Sequence, residues 1–370
     1  MFKILIASLF LLVSASAAWA DARKDCEQKE DTDRRIRGCT ALIRQDPRDA
    51  VAYLNRGSAY GDKGDYDLSI ADHTKAIELD PKDEVAYNNR GNAYGAKGDY
   101  DGAIADYSKA IELDPKAADA YMNRGVTYKV KGDYDLAIAD YTKIIELEPE
   151  YWGAYRNRGY ARFYEGDFKD AGADLLRVIE LKDDIYLMLL RYLARSRAGE
   201  DAASELEANA ARLKTKDWPY PVIELYLGKR EPEAALSSAA KPDERCDAHF
   251  YVGEWHVLQN NRDEAAKALQ VAKDTCPKNF FEYTAAVAEL KRLGDTPKEW
   301  APSATQGATA PDVAAPTKTS GASQEMELGF WNSVKDSDDP AMLQAYLDQF
   351  PNGTFVSIAK LKVEKLKKAP

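Results

Sequence analysis

The sequence predicts an all-α solenoid built from antiparallel helix pairs, and three observations lead to this fold class. First, one segment of the chain recurs with a period of 34 residues. Second, each copy contains two runs in which apolar and small residues recur at the spacing of one helix face. Third, a glycine–aspartate turn separates the two runs. Such a copy cannot bury its apolar face alone, so the copies must stack. The period is marked by Tyr53, Tyr87, Tyr121 and Tyr155.

Composition narrows the classes of function. Apolar residues make up 45% of the 370 residues and charged residues 31%, which is enough apolar material for a sizeable core and excludes a mainly disordered chain. The formal net charge of -11 is the opposite of a nucleic-acid binder's electrostatic footprint. We therefore expect no nucleic-acid partner.

Residues 1–20 have the features of a secretory signal. Lys3 supplies the positive end, residues 4–13 form a short apolar run, and Ala18-Trp19-Ala20 is a small-x-small cleavage site. The alternative is a membrane anchor, but the apolar run is shorter than the ~20 residues that a membrane span needs. Asp21, rather than a lipid-accepting cysteine, would follow the cut. We expect a protein of the periplasm or the exterior, soluble after cleavage and without a membrane span.

The second copy shows why each helix begins and ends where it does. Gly91 is small enough to let the second helix approach the first closely, and Ala103, Tyr107 and Ala110 recur on the second helix. Gly98 suits a left-handed helix end, Asp99 or Asp101 caps the next helix, and Pro115 ends the unit. Over the whole chain we predict a signal peptide (1–20), an N-terminal helical pair (21–49), four repeat units (50–185), degenerate helical units with a capping helix (186–295), a flexible linker (296–324) and a small helical module (325–370).

The repeat resembles a known family. Its second copy, AYNNRGNAYGAKGDYDGAIADYSKAIELDP, has the length and the small and aromatic positions of the tetratricopeptide repeat. The resemblance covers residues 50–185. It implies a scaffold that binds protein segments and carries no catalysis of its own.

A second resemblance covers roughly residues 50–294. The segments PVIELYLGKREPEAAL and HFYVGEWHVLQNNRDEAAKALQVAKDTCPKNFFEYTAAVAELKRLG are similar to the periplasmic tetratricopeptide lipoproteins called new lipoprotein I. This resemblance implies an adaptor for an envelope protease or a cell-wall hydrolase, and a homodimer. Membrane anchoring is not implied, because the lipid-anchor cysteine of that family is missing here.

The four cysteines predict two disulfide bonds, as an even count does in an exported chain. Cys26 and Cys39 are symmetric about one predicted helical turn, and Cys246 and Cys276 about another, so antiparallel helices would bring each pair together. Redox catalysis is the alternative, but it usually needs closely spaced cysteines such as CxxC, which the chain lacks.

Nothing in the sequence indicates catalytic, metal-binding or cofactor-binding residues. His249 and His256 lie seven residues apart with Glu254 between them, which could suggest a metal site, but both fall on packing positions and there is no third ligand. His73 stands where other copies have tyrosine, so we interpret it as packing too. An enzyme with a cryptic site remains an alternative, as does a peptidoglycan-binding module.

The resemblance to tetratricopeptide repeats implies that the first helix of each copy lines a peptide-binding groove, where one asparagine per copy would hold the peptide backbone. An amide can both donate to and accept from a peptide backbone. The alternative is that each amide only bonds between neighbouring helices. The groove is polar at the front and more apolar and basic at the back, which favours a peptide with an apolar or acidic end. The asparagines are Asn55, Asn89, Asn123 and Asn157, and the other groove positions are Asn88, Asn92, Met122, Arg156 and Tyr160.

An arginine and an aspartate recur 16 residues apart in every copy, an offset that crosses the hairpin. We predict a structural ion pair in each unit, with a ligand-binding role for the arginines as the alternative. The pairs are Arg56 with Asp72, Arg90 with Asp106, Arg124 with Asp140, and Arg158 with Asp174.

Overall fold

The computed structural model describes residues 21–295 together with Leu343, Gln344, Tyr346, Leu347 and Val363. The chain divides into two compact units, Met1–Ala304 and Thr305–Pro370. The described residues contain helices and no strand, which confirms the all-α prediction. The predicted signal peptide and linker lie outside the described residues. In the second unit the five described residues are helical, and three of them are buried.

The described helices follow one another as antiparallel neighbours, each packed against the next over most of the first unit. In chain order they are α1 (21–27), α2 (Thr32–Gln45), α3 (Ala50–Lys63), α4 (Tyr66–Leu79), α5 (Glu84–Ala96), α6 (Tyr100–Leu113), α7 (Ala118–Lys131), α8 (Tyr134–Leu147), α9 (Trp152–Glu165), α10 (Phe168–Ile179), α11 (Ile185–Arg197), α12 (Ala203–Arg212), α13 (Tyr220–Tyr226), α14 (Pro232–Ser237), α15 (Pro242–Leu258), α16 (Arg262–Thr275) and α17 (Phe281–Asp295). Among the described residues, no helix has the length and apolar character that crossing a bilayer requires.

Local chemistry sets the helix ends. The side chain of Asp49 accepts a hydrogen bond from the backbone N–H of Ala52, and Asp83 and Asp99 cap their helices in the same way. Gly64 ends α3 with φ of 82°, in the left-handed region where a side chain would be strained.

The two helices of a copy cross at a glycine. A Cβ atom at Gly91 would lie 2.7 Å from the ring of Tyr107, and one at Gly125 would lie 2.8 Å from the ring of Tyr141. Only glycine allows this approach, so the ring of the second helix is buried against the backbone of the first.

The structure pairs Cys26 with Cys39, joining α1 to α2, and Cys246 with Cys276, joining α15 to the end of α16. The last described helix makes contacts that were not expected of a capping helix. Besides covering α16, α17 contacts α9 of the fourth copy, more than a hundred residues earlier in the chain.

A buried charge network connects the helices around α17. Arg197, at the end of α11, donates to Glu254 of α15 at 3.1 Å and lies 2.9 Å from Glu289 of α17. The side chains of Arg197, Glu254 and Glu289 are 5%, 0% and 1% exposed. Burial and the nearby Glu289 carboxylate raise the pKa of Glu254, against the opposing effect of Arg197.

Candidate functional site

The four predicted asparagines lie on the first helix of successive copies. They belong to α3, α5, α7 and α9, which lie side by side, and each is half-buried. One amide per repeat thus borders the same surface. We call this row the amide ladder; its members are Asn55, Asn89, Asn123 and Asn157.

Each ladder amide uses its nitrogen to reach the first helix of the preceding helix pair. Asn89 Nδ2 donates to Ser58 Oγ at 3.3 Å, and Asn123 Nδ2 donates to Asn88 Oδ1 at 3.1 Å. Asn157 Nδ2 lies 3.4 Å from the sulfur of Met122. At the front, Asn55 Nδ2 lies 3.9 Å from the disulfide sulfur of Cys26. The helix-bridging role is therefore present, but it uses only the donor half of each amide.

The chemistry of the partners of Asn55, Asn89 and Asn157 fixes which way these three amides point, while Asn123 is oriented in the structure as the donor to Asn88 Oδ1. A thioether and a disulfide sulfur carry no proton, so they can only accept. Ser58 donates its own proton to the carbonyl of Leu54 at 3.0 Å, and it too can only accept from Asn89. Within residues 21–295 no group donates to the ladder Oδ1 atoms. The ladder thus presents one unused acceptor per repeat.

Two further groove residues are partly engaged. Asn88 supplies the oxygen that holds Asn123, and Asn92 Oδ1 accepts from the hydroxyl of Tyr107 at 2.9 Å. Asn92 is exposed. Asn88 and Met122 thus support the ladder, while Asn92 faces the open groove.

The arginine of each copy holds its aspartate with two hydrogen bonds. Arg90 Nε and Nη2 donate to the two oxygens of Asp106 at 2.7 and 2.8 Å. Its third nitrogen donates to Thr74 of the preceding copy at 3.1 Å, so one guanidinium joins two repeats. The same arrangement recurs at Arg56 with Asp72 and Thr40, Arg124 with Asp140 and Ser108, and Arg158 with Asp174 and Thr142. These arginines do not point freely into the groove.

The back of the groove is partly covered by α17. The ring of Phe281 in α17 lies 4.7 Å from the ring of Tyr160 and 5.2 Å from that of Tyr164. Tyr160 is half-buried and also borders a cleft between α9 and α17. The Arg156 guanidinium lies 5.0 Å from the ring centre of Trp152. The 34-residue period does not extend to α17, and no feature of the period could have placed it here.

Comparison with known families agrees with this geometry. Residues 57–98 and 91–132 match a model of the TPR repeat, and residues 118–151 match a model of the tetratricopeptide repeat. The chain is a tetratricopeptide repeat protein. The Arg–Asp pairs and the ladder asparagines of the second and third copies lie within the matched segments.

Several solved structures resemble parts of this chain. The crystal structure of MamA shares 30% identity over 40% of this chain and 88% of its own, with a TM-score of 0.39. YrrB, described as a TPR protein with an unusual peptide-binding site, shares 19% identity over 68% of this chain and 97% of its own, with a TM-score of 0.38. The first TPR of Spaghetti (RPAP3), solved with an HSP90 peptide, shares 29% identity over 30% of this chain and 90% of its own, with a TM-score of 0.30.

In the described part of the chain, cavities border the tetratricopeptide groove at its front and at its back. At the front, a cavity of about 260 Å³ lies between α3, α4 and α5 and is lined by Ser69, His73 and Asn92. Burial lowers the pKa of His73 to about 4, so its imidazole is neutral at physiological pH, and its Nδ1 has no hydrogen-bond partner in the described structure. The cavity lies where His73 of the first copy replaces the larger tyrosine of the next two copies, Tyr107 and Tyr141. At the back, a cleft of about 740 Å³ lies between α7, α9 and α17.

The two other histidines are placed apart from the groove, on α15. Both His249 and His256 are partly buried, which lowers the pKa of each imidazole. His256 packs edge-on against Trp255 at 5.0 Å. Among the described residues, no group of three or more histidine, cysteine, aspartate or glutamate side chains could hold a metal ion.

We expect Arg90→Ala to lower the free energy of unfolding by about 2 kcal/mol, because it leaves the buried Asp106 carboxylate without its main partner. Asp106 is 8% exposed and Arg90 17%. Urea titration followed by circular dichroism measures the change. Lys97→Ala is the matched control: Lys97 pairs with Asp67 on the surface, and its loss should hardly shift the titration. Equal shifts for the two variants would contradict a structural role for the Arg90 pair.

Proposed function

We propose that this tetratricopeptide protein is a non-catalytic scaffold that holds extended protein segments along the amide ladder. The main support for this proposal is the amide ladder, whose four asparagines each present an unused Oδ1 acceptor, one per repeat. A peptide backbone offers N–H donors at regular intervals whatever its sequence, so such a row suits extended peptides as a class. The ordered amide nitrogens keep the acceptors in place and reduce the entropy lost on binding.

We further propose that the protein works in the periplasm as an adaptor for an envelope protease or a cell-wall hydrolase, and that it forms a homodimer. The signal-like residues 1–20 and the two disulfides favour an exported protein, because such bonds persist in oxidising compartments. The resemblance to the new lipoprotein I family supports the adaptor role.

A double variant tests the ladder. Asn89→Ala with Asn123→Ala removes two adjacent acceptors, and two hydrogen bonds at ~0.5–1.5 kcal/mol each should weaken peptide binding by about tenfold. The probe is a decapeptide selected on the wild-type protein from a randomised synthetic library, and the readout is the dissociation constant from fluorescence anisotropy.

Ser58→Ala is the matched control. It removes the partner of the Asn89 nitrogen and leaves the Oδ1 acceptor in place. We expect a small loss of stability and an affinity for the same decapeptide that falls by much less than in the double variant, because the Asn89 acceptor is less firmly held but still present. Unchanged affinity in the double variant would refute the ladder. A double variant that fails to fold would show that these amides are primarily bridges between helices.

A further inference from the structure

The front cavity, between α3, α4 and α5, has a buried floor and an open rim. On its floor, Ser69 and His73 are each 1% exposed, whereas Asp62 and Asn92 on its rim are exposed. At about 260 Å³ the cavity is larger than the ~150 Å³ that accommodates a benzene ring in an engineered protein core. It therefore has room for one ring-sized group.

The repeat shows what fills the equivalent place in the second copy. There Tyr107 stands at the position of His73, and its hydroxyl donates to Asn92 Oδ1 at 2.9 Å. A Cβ atom at Gly95 would lie 3.7 Å from that hydroxyl and 3.8 Å from the side chain of Ala103. The counterparts of these three neighbours, 34 residues earlier, all line the front cavity; they are Ser58, Gly61 and Ser69. The cavity thus occupies the place that the outer ring and hydroxyl of a tyrosine take in the second copy.

The imidazole of His73 fills only the inner part of this place. It packs over Gly57, where a Cβ atom would lie 2.9 Å from its Nδ1 and Cε1 atoms, much as the ring of Tyr107 packs over Gly91. Imidazole is shorter than phenol and carries no hydroxyl. The space beyond it therefore remains a cavity instead of protein core.

Two polar groups on the floor favour a ligand that forms hydrogen bonds. His73 Nδ1 is buried and has no hydrogen-bond partner in the described structure. The hydroxyl of Ser69 likewise forms no hydrogen bond within residues 21–295. A buried imidazole nitrogen without a partner costs free energy, and a hydrogen bond to a ligand would remove that cost. A purely apolar ring would leave it in place.

The charges around the cavity favour a neutral ligand. Burial and the nearby Arg90 lower the pKa of His73, so the imidazole is uncharged, and a bound cation would meet the same guanidinium. On the rim, Asp62 already pairs with Arg35 and would repel an anion. An uncharged ring that carries a hydroxyl satisfies both conditions.

We propose that the front cavity binds a neutral phenolic ring, whose hydroxyl forms hydrogen bonds with His73 and Ser69. The ring belongs to a free phenol or to a tyrosine side chain of the held segment, and the second source rests on the proposed peptide-binding function. Asn89 of the amide ladder also lines the cavity, so a segment lying along the ladder passes its rim.

The tyrosine side chain without its backbone, 4-methylphenol, tests the site directly. Ligand-observed NMR should show saturable binding to the wild-type protein with a dissociation constant of about 1 mM, as expected for a ligand of roughly eight heavy atoms. Toluene has the same ring and methyl group but no hydroxyl. It should bind about tenfold more weakly, because it leaves His73 Nδ1 unpaired.

His73→Tyr then locates the site, because it closes the cavity with the residue that the next two copies carry. This variant should no longer bind 4-methylphenol. His256→Tyr is the matched control, since His256 lies on α15, apart from the groove, and its replacement should leave the dissociation constant unchanged. Circular dichroism verifies that each variant is folded, and the comparison with toluene needs no variant.

Peptide selection distinguishes the two sources of the ring. A randomised decapeptide library is passed over the immobilised wild-type protein and over His73→Tyr, and the retained peptides are identified by mass spectrometry. Tyrosine enriched at one position on the wild-type protein, but not on the variant, identifies the held segment as the source. Binding of 4-methylphenol without this enrichment identifies a free phenol.

The outcomes separate the cavity from the ladder. No saturable binding of 4-methylphenol, equal affinity for toluene, or undiminished binding to His73→Tyr would overturn the site and leave a cavity that holds water only. If Asn89→Ala with Asn123→Ala still weakens peptide binding in that case, the proposed function stands without the site. If the wild-type protein binds 4-methylphenol but retains no peptide, the site stands and the proposed function is overturned.

Discussion

Arg197→Ala should lower the free energy of unfolding by about 3–5 kcal/mol at pH 8, since removing one partner of a buried ion pair leaves an uncompensated charge. Here the charge left behind is that of Glu254, which is completely buried and has no other ion-pair partner among the described residues, whereas the buried Glu289 keeps its pair with Arg292. The Arg197 guanidinium also lies 4.4 Å from the ring centre of Phe168, so packing is lost as well.

Urea titration of the variant and the wild-type protein measures this loss. Arg212→Ala is the control: Arg212 pairs with Asp183 at the surface, where both side chains are more than half exposed. That variant should change the free energy of unfolding by less than ~1 kcal/mol. A similarly small change in Arg197→Ala would mean that Glu254 and Glu289 are solvated or protonated in the folded protein.

A second large change in the free energy of unfolding is expected at Glu282 of α17, whose side chain is buried. The residue is 7% exposed. Its Oε1 accepts from the hydroxyl of Tyr251 at 3.3 Å, and no arginine or lysine within the described residues pairs with it. Burial, reinforced by the nearby Asp247 carboxylate, raises the pKa of Glu282 to about 7. We expect Glu282→Gln to stabilise the protein at pH 8 by about 3 kcal/mol, the free energy that corresponds to this rise from the unfolded value.

Proton binding to Glu282 determines how the stability of the protein changes with pH. Between the unfolded pKa near 4.5 and the folded pKa of about 7, the folded state holds a proton on Glu282 that the unfolded state has lost. The stabilisation is complete below pH 4.5 and is lost as the pH rises through 7. Urea titrations from pH 4 to 8 should show the wild-type protein losing stability relative to Glu282→Gln. Parallel curves for the two proteins would contradict a buried, protonated Glu282.

The repeat was predictable from sequence because its determinants are local. Gly91 and Tyr107 belong to one hairpin, and the 16-residue offset between Arg90 and Asp106 follows from the geometry of that hairpin. The same holds for the disulfides, whose cysteines flank single turns. In each case a period or a symmetry within about 30 residues of sequence identifies the partner.

Contacts between distant segments were not predictable in this way. Phe281 and Tyr160 are 121 residues apart, and α17 could equally have covered only α16. Arg197, Glu254 and Glu289 each look like solvated surface charges when considered alone. The direction of the ladder amides is also missing from the sequence, since it depends on Ser58, Met122 and Cys26 being unable to donate.

The central claim is that the ladder oxygens accept hydrogen bonds from a peptide backbone, and backbone N-methylation tests it most directly. Each amide of the selected decapeptide is methylated in turn, which removes one N–H donor at a time. We predict two or more positions where methylation weakens binding to the wild-type protein about threefold, the share of one of the two hydrogen bonds. At the positions that face Asn89 and Asn123, methylation should have little further effect on binding to Asn89→Ala with Asn123→Ala. Equal losses in the wild-type protein and the double variant, or no loss at any position, would contradict the account.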